Sequence, residues 1–72
     1  MYGIMQAIQN AFVTVDYNGD GYEERNARLD IQGHDVQVVH EQGSKMFTVF
    51  VDGDCAVLTK DRVEGWISAR LR

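Results

Sequence analysis

In the opening stretch YGIMQAIQNAFVTV, apolar residues fall at Ile4, Ile8, Ala11, Phe12 and Val15. These positions form one stripe of a helix, and Gln6, Gln9, Asn10 and Thr14 lie on the opposite side. The pattern predicts an amphipathic helix over residues 3–15, with some strand character in the closing Val-Thr-Val. From residue 23 onward the period changes to two. Ala27, Leu29 and Ile31 alternate with Asn26, Arg28 and Asp30, which predicts a strand over 23–31. DVQVVHE predicts a second strand over 36–41, and MFTVFVDG a third over 46–52, rich in β-branched and aromatic residues. CAVL adds a short fourth over 55–58. QGHD, EQGSK and DGD read as the turns between them. A second helix is predicted over 60–71, with Thr59 as N-cap, Asp61 in the first turn and Val63, Trp66, Ile67 and Leu71 as its apolar stripe. Gly65 in its interior suggests the close approach of a neighbour.

The fold class is therefore α+β, in the order α-β-β-β-(β)-α. An antiparallel sheet of three to four strands carries an N-terminal and a C-terminal amphipathic helix, most simply on one face. This order resembles the double-stranded RNA-binding domain. That family needs a basic cluster at the start of its second helix to hold phosphates across a groove. Here the position reads TKDRVEG, where Asp61 and Glu64 offset Lys60 and Arg62. The resemblance implies an order of elements and no RNA contact.

With 72 residues, the chain makes a single small domain with a modest core, which a partner or a second copy would help to stabilise. No apolar run approaches the roughly 18 residues of a membrane span. The opening residues lack a basic region followed by a cleavage site, so no signal peptide is expected. A single cysteine, Cys55, fits a reducing cytoplasm better than a secreted, disulfide-framed domain. Net charge is −4, distributed unevenly. Residues 1–58 hold nine acids and three bases, while residues 59–72 hold four bases and two acids. An acidic body repels phosphate, which argues against direct nucleic-acid binding. The basic C-terminal segment matches what a helix dipole favours at that end.

Candidate chemistry is sparse. DYNGDG places Asp16, Asn18, Asp20 and Gly21 as positions 1, 3, 5 and 6 of a calcium loop would require. The twelfth position is Ala27, which cannot ligate, so a turn is the expected reading and a weak calcium site through Asp16–Asp20 the alternative. His34 and His40 lack metal-ligand spacing, and Cys55 beside AVL reads as a small buried hydrophobe. No cofactor is expected, and the chain reads as a binder rather than an enzyme.

Two surfaces are expected to bind. The first is acidic: Asp16, Asp20, Glu23 and Glu24 with no base among them, joined by Asp52 and Asp54 in a later turn. The second is the apolar side of MFTVFV, where Phe47, Val49 and Val51 would serve a dimer or partner if helices leave it open. The primary expectation is a small acidic inhibitor or adaptor whose protein partner has a basic surface. Phage and mobile-element proteins that block host nucleic-acid-binding complexes, anti-CRISPR proteins included, are the type in view. A dimeric structural or regulatory module assembled through the third strand is the other expectation.

Overall fold

A computed structural model describes residues 3–16, 19 and 23–71. Two helices and a five-stranded antiparallel sheet follow the order α1 (Ile4–Ala11), β1 (Val13–Val15), β2 (Glu24–Ile31), β3 (His34–Glu41), β4 (Met46–Val51), β5 (Asp54–Thr59), α2 (Lys60–Arg70). The strands form a meander in which each neighbours the next, β1-β2-β3-β4-β5.

The first helix is shorter than the apolar stripe suggests. It ends at Ala11, and Phe12 already has extended backbone, with φ −62° and ψ 133°. The β-branched run Val13-Thr14-Val15 wins locally, because it loses less side-chain freedom in a strand than in a helix. It pairs with Asn26, Arg25 and Glu24 as the first edge of the sheet. CAVL likewise grows into a full strand beside β4.

Both tight hairpins have a physical cause in the sequence. Gln32 and Gly33 have φ of 54° and 84°, and Asp52 and Gly53 have φ of 50° and 94°. Two successive positive φ values match the right-handed twist of the flanking strands, and a Gly in second place makes them accessible. The first turn sets the register Ile31↔His34 through Arg25↔His40 to Glu24↔Glu41.

Both helices pack on one face. Ala27 of β2, Val36 and Val38 of β3, and Phe47, Val49 and Val51 of β4 lie beneath Ile8 of α1 and Val63 and Ile67 of α2. Each fully buried Val or Ile contributes about 1.5–3 kcal/mol through area removed from water. Phe47, Val49 and Val51 are only 6%, 0% and 2% exposed. The structure thus corrects their reading as an open dimer or partner face: they are the floor of the core. The same strand, β4, is hydrogen-bonded on both sides, to β3 and to β5, so it presents no edge to a second copy.

Two further expectations change. Cys55 is exposed, since it alternates to the open face of the sheet, paired with Phe50. Gly65 has open space around it, with nothing within 4 Å of where a Cβ would stand. Thr59 occupies the N-cap position of α2 without a side-chain bond to the helix backbone. Its hydroxyl instead donates to Asp61, which holds that carboxyl below the usual aspartate range.

The two helices are also joined directly. Oε2 of Glu64 in α2 accepts the N–H of Met5 in the first turn of α1, at 2.8 Å. A carboxylate supplied by the other helix thus meets one of the backbone donors that a helix start leaves unsatisfied. A Cβ on Gly3 would stand 3.0 Å from the same oxygen, so the absence of a side chain there gives the carboxylate room.

Candidate functional site

The structure divides five of the six acidic residues expected to bind between opposite ends of the sheet. Asp16, Glu23 and Glu24 lie at one end, where β1 stops and β2 begins. Asp52 and Asp54 lie at the other, around the β4–β5 turn. Asp20 falls outside the described residues.

At the first end the strands bring carboxylates together. Glu24 opens β2 and stands opposite Val15 on one side and Glu41 on the other. Like charges directly opposed in a sheet are destabilising. The Glu24 carboxylate takes a hydrogen bond from Asn26 Nδ2 at 3.1 Å. Glu23 is tied through its backbone: its N–H donates to Gln42 Oε1 at 3.2 Å, and its carbonyl accepts the Gln42 N–H at 3.0 Å. Its side chain remains exposed. Arg25 and Lys45 share this end, yet among the described residues no cation pairs with Glu23 or Glu24. Asp16 Oδ1 accepts the Gly19 N–H at 2.9 Å, which is turn geometry. Asn18, Asp20 and Gly21, on which a calcium loop would depend, lie outside the described residues.

Sequence reasoning missed what sits beside this acidic rim. A recess of about 220 Å³ is lined by Glu23, Arg25, His40, Gln42 and Gly43. The Arg25 guanidinium lies 4.7 Å over the Phe12 ring and donates from Nη2 to Nδ1 of His40 at 2.8 Å. A guanidinium can only donate, so Nδ1 of His40 is the acceptor and Nε2 carries the proton. Nε2 then donates to the Ser44 carbonyl at 2.7 Å, and the ring stacks on Phe47 with centroids 4.3 Å apart. Arg25 is thereby held in place by an aromatic face and a neutral imidazole. The signal was present in the register, since a two-residue turn at Gln32-Gly33 puts Arg25 opposite His40.

The second end is acidic in sequence but paired in space. Arg28 Nη2 meets Asp35 Oδ2 at 3.1 Å, and Arg70 Nε lies 3.7 Å from Asp54 Oδ2. The Nδ1–H of His34 donates to Oδ2 of Asp52, whose other oxygen accepts the Asp35 N–H at 3.1 Å. The His34 bond first, and the backbone bond second, hold the Asp52 carboxyl below the usual range. Asp30 Oδ1 accepts the Gly33 N–H at 2.9 Å and buttresses the hairpin.

Neither histidine approaches Cys55: His34 and His40 sit at opposite ends of β3, each with the partners above. Among the described residues no helix is long and apolar enough to cross a membrane. Comparison of the chain with protein-family models, with curated proteins and with solved structures finds no match.

Proposed function

We propose that the protein is a small binding module that docks its β1–β2 end onto a basic surface of another protein. One observation carries this reading: among the described residues no cation meets Glu23 or Glu24, whereas at the far end Arg28 meets Asp35, Arg70 meets Asp54 and His34 bonds to Asp52. A carboxylate with no cation beside it gains when one arrives from outside. The carboxylates would occupy Arg and Lys positions that otherwise hold phosphate, with charge-assisted hydrogen bonds. In its finer form the partner is a nucleic-acid-binding complex and the module its inhibitor, in the manner of anti-CRISPR proteins. Small size and acidity support that form.

The test uses an arginine-rich peptide as a defined basic probe, titrated into the labelled protein and followed by amide NMR. Shifts concentrated at Asp16, Glu23, Glu24 and Glu41, fading with added salt, are expected. Shifts spread equally over both ends, or unaltered in Glu23→Lys/Glu24→Lys, would rule the reading out.

A further inference from the structure

We infer that β5 is the interface of a two-fold homodimer, in which the β5 strands of two copies pair antiparallel and join two five-stranded sheets into one. This goes beyond the acidic-end reading and uses none of Asp16, Glu23, Glu24 and Glu41.

The two outer edges of the sheet differ in kind. On one side β1 spans three residues and covers only Glu24–Asn26 of β2. The uncovered remainder of β2 carries the exposed charges Arg28 and Asp30, which guard an edge against pairing. On the other side, all six residues of β5 pair inward with β4, and among the described residues no other strand lies outside it. After Asp54 this edge holds Cys55, Ala56, Val57, Leu58 and Thr59, without a charge, a proline or a bulge. Val57 at its centre is 57% exposed. An edge of this length and composition is a template for another strand.

Symmetry identifies that strand as a second copy of β5. A two-fold axis normal to the sheet keeps the faces of both copies aligned, so opposed residues must share a face. Centring the axis on Val57 sets Val57 against its own counterpart. Ala56 then meets Leu58, small against large, on the helix-covered side. Cys55 meets Thr59 on the open side. At each end Asp54, 3.7 Å from Arg70 of its own chain, comes near Lys60, the first residue of α2 in the other copy, an opposite-charge contact repeated by the symmetry. The strand stretch Cys55–Thr59 is thus complementary to itself about Val57, with Asp54 and Lys60 flanking it. No ion pair engages Lys60 within the described chain. The pairing leaves the β1–β2 end of each copy at the far side of its own sheet, so a dimer would present two acidic ends.

Sedimentation velocity over a concentration series tests this. The wild-type chain of 8.2 kDa is expected to show a monomer–dimer equilibrium. Lys60→Glu sets acid against acid at both ends and should raise the dimer dissociation constant about tenfold, with an unaltered far-ultraviolet dichroism spectrum. Asp54→Lys combined with Lys60→Glu should restore association. In a Cys55→Ser background, Val57→Cys should form a disulfide with itself on mild oxidation, while Val13→Cys at the other edge stays monomeric. A wild type that sediments as a monomer up to about 1 mM overturns the proposal. So does a dimer indifferent to Lys60→Glu, or one that cross-links equally through position 13.

Discussion

Carboxylates gather at both ends of the sheet, Asp16, Glu23, Glu24 and Glu41 around one and Asp30, Asp35, Asp52 and Asp54 around the other. Formal charge makes the two ends look alike. Geometry separates them. Arg28, His34 and Arg70 reach three of the four aspartates, so the second end is knitted together by its charges. At the first end the nearest guanidinium, Arg25, is turned toward Phe12 and His40 instead. The same side-chain chemistry therefore meets cations at one end, whereas among the described residues Glu23 and Glu24 at the other meet none. The lesson is that an acidic run acquires meaning only when its cations are located.

The largest expected effect is on binding. Glu23→Lys with Glu24→Lys should weaken association with a basic probe by on the order of a hundredfold, since it replaces attraction by repulsion at two adjacent sites. Asp52→Asn at the paired end should change affinity less than about twofold, because that carboxylate is already occupied. Calorimetric titration of both variants gives the ratio, and equal losses would erase the distinction between the ends.

Gly65→Ala provides a reference away from both. An alanine Cβ meets nothing there, so it should raise stability by about 1 kcal/mol in urea unfolding and leave binding unchanged. Against that reference, removing charge should act with opposite sign at the two ends. Glu24→Gln relieves the opposition to Glu41 and is expected to stabilise by about 0.5 kcal/mol while reducing binding. Asp52→Asn takes away the acceptor of His34 and should destabilise.

The smallest effect concerns pH. The Asp52 carboxyl is held down chiefly by its bond from His34. A depressed acid contributes stability that is fully present above the ordinary aspartate range and is lost as pH falls through its own lower value. Urea midpoints of wild type should therefore fall more steeply on acidification below that range than those of Asp52→Asn. Parallel curves would show that the His34 contact carries no linkage.

Much of the fold could be read from the chain. The period-two stretches, the Gly-containing hairpins and the Val63–Ile67 stripe each state a local preference that the packing keeps. Two readings failed for one physical reason: short segments are decided by their neighbours. Val13-Thr14-Val15 continues a helical stripe on paper, yet a β2 edge is available to pair with it. MFTVFV is apolar on one side and partly so on the other, and alternation alone does not say which side the helices cover. The acidic end was half legible. Glu23 and Glu24 are visible as a charge run, whereas the contribution of Glu41 and the Arg25–His40 recess requires the register of a hairpin. Charge counting likewise grouped Asp52 and Asp54 with them, because their partners His34 and Arg70 lie 18 and 16 residues away in the chain.

The contact between Glu64 and the Met5 amide spans 59 residues of sequence. A short helix such as α1 is marginal by itself, and its first turn is completed by an oxygen that arrives with the last helical element. Forming it thus depends on the docking of α2 rather than on a local event, and Glu64→Ala should speed hydrogen exchange at the Met5 amide.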